Sequence, residues 1–208
     1  KKTNGRIACE YKLDGERVQI HKDGSEIQLF SRSLEKITDH YPDIVEVIKK
    51  YQIQRCILEA EIVSFDLKSK KIQPFQELMH RKRKYNINDI LLKYPVKVFL
   101  FDILYLEGDN LTQYEYTKRR KILESIISKN NHNTIVLVNQ IVSSKLHIIE
   151  NFFRKAKEAG CEGLMLKQLD SKYRAGAREF LWMKLKKEYN DRISDSLDLT
   201  VIGALLGK

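Results

Sequence analysis

Residues 17–31 constrain the fold of this chain more than any other stretch. Arg17 to Lys22 and Glu26 to Ser31 each alternate apolar and polar residues, and Asp23-Gly24 stands between them. A period of two puts every second side chain on one face of a strand. An Asp-Gly pair between two such runs is a strong hairpin signal. The segment therefore predicts two adjacent antiparallel strands. Arg6 to Tyr11, Cys56 to Phe65, Val96 to Leu106, Thr134 to Val142, Leu164 to Lys167, Leu181 to Lys186 and Leu197 to Leu205 also read as strands. Ile44, Val47, Ile48 and Tyr51 recur at helical spacing, which predicts a helix over residues 41–51. Further helices are expected from Pro74 through Arg81, over 117–128, and from Lys145 to Ala159, where Gly160 closes the last turn. Strands and helices mix irregularly around hairpin signals, so the expected class is α+β with antiparallel sheets, not a wound parallel sheet.

With 208 residues, 42% hydrophobic and 32% charged, the chain can bury a full core and does not have the composition of a disordered one. Its longest apolar run, Val98 to Leu106, is interrupted by Asp102 and falls short of a bilayer span. Lys1 to Gly5 leads into no apolar signal-peptide core. Cys9, Cys56 and Cys161 are too few and too scattered for a disulfide framework or a zinc site, and each is expected to be a small buried hydrophobe in a reducing, intracellular setting. A net charge of +10 favours a polyphosphate partner through counterion release, although many basic proteins bind no nucleic acid.

The sharpest local pattern is Glu10-Tyr11-Lys12-Leu13-Asp14-Gly15-Glu16-Arg17. A lysine ends one strand, a tight Asp-Gly turn follows, and an arginine opens the next strand. To act as a nucleophile, a lysine amine must lose its proton, which nearby positive charge or burial favours. A surface lysine beside an ordinary hairpin turn fits this octapeptide equally well. Glu61 lies in an otherwise apolar strand, where an unpaired carboxylate is costly, so a cation or donor partner is expected. Lys184 and Lys186 alternate, which puts them on one strand face with Trp182, while Met183 and Leu185 take the other. Two lysines on one face repel unless an anion lies between them, and a phosphate meets that need. Arg32 reads as a solvated strand-end charge, Phe101 as core, Glu162 as a turn residue, and Arg81 to Lys84 as a solvated basic run at a helix end.

Lys12-x-Asp14-Gly15-x-Arg17 resembles the first motif of the covalent nucleotidyltransferases, which comprise ATP-dependent DNA ligases, RNA ligases and mRNA-capping guanylyltransferases. Segments similar to the other motifs follow in order: Leu29 to Ser33, Leu58 to Val63, Phe99 to Tyr105, Cys161 to Lys167 and Trp182 to Lys186. Their wording is most similar to replicative archaeal and eukaryotic DNA ligases, and the abundance of Lys and Ile leans towards an archaeal source. The resemblance implies the nucleotidyltransferase fold, two packed antiparallel sheets flanked by helices with ATP between them. It implies that Lys12 is the catalytic residue that becomes linked to AMP, with adenine against Phe101 and its amino group near Glu10. Arg17, Arg32 and Glu61 would hold the ribose side. Lys184, Lys186 and Arg178 would face the phosphates, and Mg²⁺ or Mn²⁺ would sit near Glu61 and Glu162. Ala177 departs from the lysine usual before that arginine, which weakens the assignment of Arg178.

By the same resemblance, residues 1–190 form the adenylation domain, and residues 191–208 are a linker and the first strand of a truncated OB-fold domain. The expected partner is nicked duplex DNA, with a sliding clamp reached through domains outside this sequence. The expected state is a monomer, off the membrane, in the cytoplasm of an archaeon or the nucleus of a eukaryote. A piece of this extent is expected to be inactive in nick sealing by itself. The alternatives are an RNA ligase or guanylyltransferase with the same lysine, or a DNA-clamping module that keeps only the fold.

Overall fold

The computed structural model describes residues 5–82, 87–130, 132–175 and 182–186. The chain runs through β1 (Ile7–Lys12), β2 (Glu16–Asp23), β3 (Glu26–Ser31), α1 (Pro42–Lys49), β4 (Arg55–Asp66), β5 (Lys71–Ile72), α2 (Phe75–Met79) and α3 (Ile87–Lys93). It continues through β6 (Val96–Leu106), β7 (Asp109–Asn110), α4 (Tyr116–Lys129), β8 (Ile135–Leu137), β9 (Gln140–Ser143), α5 (Leu146–Glu158), β10 (Gly163–Gln168) and β11 (Trp182–Lys186). The smaller sheet has the order β11-β10-β1-β9 and the larger β3-β2-β4-β6-β7, with β5 added to β4 and β8 to β6. This is the expected α+β class. Arg178, the strand expected at Leu197 to Leu205 and the boundary near residue 190 lie outside the described residues.

Alternation explains which strand face is buried. Val18 and Ile20 on β2, Leu29 on β3, and Leu58, Ala60 and Ile62 on β4 are fully buried. They pack against Ile44 and Ile48 of α1 and Leu123, Ile126 and Ile127 of α4. A second core joins the two sheets: Cys9 and Leu164 from the smaller meet Val63 and Phe99 from the larger, under Phe152, Phe153 and Ala156 of α5. All three cysteines are free and buried, as expected. Burial pushes Cys9 and Cys161 up to about 11 and Cys56 to about 12, so all remain thiols at neutral pH.

Three expectations need correction. Thr134 to Val142 is two strands: β8 pairs with β6 in the larger sheet, and β9 pairs with β1 in the smaller. Val138 N donates to Leu100 O at 2.9 Å, and Tyr11 N donates to Asn139 O at 3.1 Å, so these two residues hand the chain from one sheet to the other. The β6–β8 pairing is parallel, which makes the larger sheet mixed. Nor does the Asp14-Gly15 turn close a hairpin, because β1 and β2 belong to different sheets and Leu13 to Gly15 carry the chain between them. A Cβ at Gly15 would overlap Ile62 O, so only glycine lets the link pass β4.

Arg81 is the third correction. It is buried, with two nitrogens on Asp43 at 2.8 and 2.9 Å and its Nε on Tyr94 O at 2.7 Å, and its guanidinium lies over the Tyr41 ring. A second strut is fully buried: Arg119 of α4 forks onto Asp102 of β6 at 2.8 and 2.9 Å. Arg119→Ala would strand that carboxylate in the core, and the expected loss is about 3–5 kcal/mol of folding stability. Denaturant unfolding would check this, and a loss below about 1 kcal/mol would contradict it. Among the described residues, no helix is long and apolar enough to cross a membrane.

Candidate functional site

The register of the smaller sheet gathers one set of side chains. Directly opposed residues share a face, so Glu10 and Lys12 of β1 lie with Gln140 of β9, Met165 and Lys167 of β10, and Trp182, Lys184 and Lys186 of β11. Leu185, on the other face, packs into the second core, as the alternation predicts. Lysines outnumber carboxylates on the shared face, which suits it to a polyanion.

Lys12 is the last residue of β1. Its side chain is only 16% exposed and its amine donates to Glu162, which also receives Lys186 Nζ at 3.3 Å. The backbone locks the same pair, since Glu162 N donates to Lys12 O at 2.8 Å. Gly163 makes this possible: its φ is +153° and a Cβ there would overlap Leu185 O, so only glycine lets β10 start this close to β11. Burial works to raise the Glu162 carboxyl, but hydrogen bonds and charge from Lys12 and Lys186 outweigh it and hold it below the usual range. Lys184 is exposed on the same face.

At the other end of β1, Glu10 is 2% exposed and surrounded by donors. Lys167 Nζ sits 2.6 Å from one oxygen. The Tyr116 hydroxyl, Gln140 Nε2 at 3.1 Å and Arg120 at 3.4 Å serve the other. The Lys167 ammonium also faces the rings of Trp182, Phe101 and Tyr116, at 4.2, 4.8 and 4.9 Å. Phe101 meets Trp182 edge to face, with centroids 6.2 Å apart.

The larger sheet contributes Arg17 and Glu61, which are cross-strand partners. Burial pushes Glu61 up to about 7 against the pull of Lys12, Arg17 and the Gly15 N–H. That answers the expectation of nearby cations and a donor. Arg17, however, pairs with Glu59, at 2.7 Å, and not with Glu61. Arg32 lies exposed in the turn after β3, directly after Ser31, the cross-strand partner of Val18. Among the described residues, no group of three His, Cys, Asp or Glu side chains is placed to hold a metal ion.

Glu59, Lys167, Tyr116, Arg120 and Tyr173 were not singled out from the sequence. Glu59 had a signal, since it alternates with Glu61 on an otherwise apolar strand and must share its face. Lys167 ends an apolar strand, much as Lys12 does. Tyr116, Arg120 and Tyr173 gave none.

The geometry can be set beside known proteins. The sequence pattern described as "ATP dependent DNA ligase domain" matches residues 1–186. A DNA ligase of Cenarchaeum symbiosum is 47% identical over 208 residues, covering 100% of this chain and 35% of the relative. A probable DNA ligase of Aquifex aeolicus is 47% identical over 210 residues, covering 100% and 36%. The chain thus spans about a third of the length of these relatives. A solved mycobacterial DNA ligase D complexed with ATP and MES superposes with a TM-score of 0.67 at 27% identity, covering 88% of this chain and 55% of that one. The chain therefore belongs to the ATP-dependent DNA ligase domain family.

Proposed function

We propose that this chain performs the nucleotide-accepting chemistry of DNA strand joining. The Lys12 amine attacks the α-phosphorus of ATP, pyrophosphate leaves, and a lysine–AMP phosphoramidate remains. AMP then passes to the 5′-phosphate of a nick in duplex DNA, and the 3′-hydroxyl displaces it as the strand closes. One observation carries this reading: Lys12 sits with Glu162 and Lys186 at one end of a sheet face whose other end holds the Glu10–Lys167 pair beside Phe101.

The Glu10–Lys167 pair offers an acceptor and a donor side by side. Adenine presents the complement, an amino donor next to the N1 acceptor, while guanine presents the reverse. Phe101 offers the ring on which the base stacks. Arg17, Arg32 and Glu61 face the ribose, and Arg178 faces the phosphates. Lys184 and Lys186 neutralise charge that builds on the phosphates during transfer. A magnesium or manganese ion would fit this donor set, since it needs just one or two protein carboxylates. Glu61 and Glu162 would hold it, and when bound it would offset phosphate charge. Nicked duplex DNA is the partner, and the protein works as an intracellular monomer; a clamp would engage other domains.

Transfer of label tests the reading. With α-phosphate-labelled ATP and Mg²⁺, the denatured chain is expected to retain label that survives alkali and is released by acid, as a phosphoramidate requires, and with labelled GTP to retain at least tenfold less. The margin is on the order of one mismatched bidentate base contact. Preference for GTP would favour a guanylyltransferase, and no label from either would favour a DNA-clamping module.

A further inference from the structure

Arg17 owes its setting to a residue far along the chain. Its Nε and one terminal nitrogen both reach Glu59, at 2.8 and 2.7 Å. That same nitrogen donates to the Tyr173 hydroxyl at 3.2 Å, and the hydroxyl donates to the other Glu59 oxygen at 2.9 Å. Gln19 adds a bond to that oxygen at 2.7 Å. Glu59 is fully buried, so these donors serve a carboxylate that has no water to turn to. The phenol can accept from Arg17 and donate to Glu59 only while protonated. Burial and the Glu59 charge push it up to about 12.

Tyr173 is itself anchored. Its backbone N–H donates to Thr112 O at 3.0 Å, and Ser171, two residues before it, accepts from Tyr116 N at 2.8 Å and from Arg119 at 3.2 Å. Its ring stands edge-on to Trp182, 6.3 Å away, and the Arg119 guanidinium lies 5.9 Å from its centre. The hydroxyl is thus delivered by the Asp102–Arg119 strut to a residue on the opposite sheet.

A guanidinium is a rigid planar fork of five N–H donors. With Nε and one terminal nitrogen committed to Glu59 and Tyr173, the remaining nitrogen, on a side chain 35% exposed, has no partner among the described residues. Glu61, its cross-strand neighbour, is an acceptor. A donor and an acceptor side by side match a vicinal diol, in which one hydroxyl accepts and the other donates. We propose that Tyr173 is a positioning residue for ribose recognition, locking Arg17 so that the Arg17–Glu61 pair selects a ribonucleoside triphosphate over its 2′-deoxy analogue. This rests on the adenylation reading above.

The experiment follows single-turnover adduct formation by the full chain with Mg²⁺ and either ATP or 2′-deoxyATP. The wild type is expected to favour ATP. Tyr173→Phe keeps the ring and should lower that preference about tenfold, the worth of one hydrogen bond to a charged group. The change should come through the half-saturating ATP concentration, with 2′-deoxyATP labelling nearly unchanged. An unchanged preference, or an equal loss with both nucleotides, would overturn the proposal. Arg17→Lys, which leaves Tyr173 and Glu59 in place but removes the fork, should lose the same preference, and keeping it would also overturn the proposal, even if Tyr173→Phe failed to fold. A wild type that labels equally with both nucleotides would refute ribose selection alone. A wild type that takes no label from ATP would refute the adenylation reading, and this proposal with it.

Discussion

Lys12→Arg is expected to form no detectable adenylate adduct, a loss on the order of 10⁴-fold or more, as when a covalent nucleophile is removed. Arginine keeps the charge and can still reach Glu162, but its guanidinium stays protonated and offers no lone pair to phosphorus. The fold should persist, since the Lys12 side chain contributes one partly exposed ion pair. Such pairs are worth about 1 kcal/mol or less. Much of the ATP affinity should persist too, because Glu10, Lys167, Arg17 and Phe101 are untouched. Adduct formation by Lys12→Arg at the wild-type rate would place the nucleophile elsewhere.

Glu162→Ala comes second in size. The Glu162 carboxylate holds both Lys12 and Lys186, so its loss frees two cations from the positions that the phosphates would meet. We expect single-turnover adenylation at saturating ATP to fall by on the order of 10², as when one preorganised transition-state contact is lost. Half-saturation should change much less, because the defect lies in the step and not in uniform binding. Lys184→Ala is expected to behave in the same way. A change confined to ATP affinity, with the single-turnover rate intact, would contradict the role given to these groups.

What the sequence disclosed depended on how local each feature was. The β2–β3 hairpin and α1 were legible because their periodicity and turn chemistry lie within a few residues. Lys12 and Arg17 were legible because they flank one link, Leu13 to Gly15, although that this link joins two sheets was not. The break at Val138–Asn139 was hidden, because β8 and β9 read as one apolar run until each finds its partner, β6 or β1. Arg81 looked like the start of a solvated basic run, and its partner Asp43 is 38 residues away. Glu59 and Tyr173 meet across 114 residues, which no local pattern records. Phe101 and Arg32 were nominated by family resemblance alone. Phe101 stands beside the Glu10–Lys167 pair, and Arg32 lies in the exposed turn that follows β3.

The most direct test of the account is the intact mass of the chain after incubation with ATP and Mg²⁺, followed by mapping of any adduct to a peptide. The account predicts a gain of one adenylate per chain, located on Lys12 and reversed by added pyrophosphate. An adduct on any other residue, or no mass gain, would contradict it.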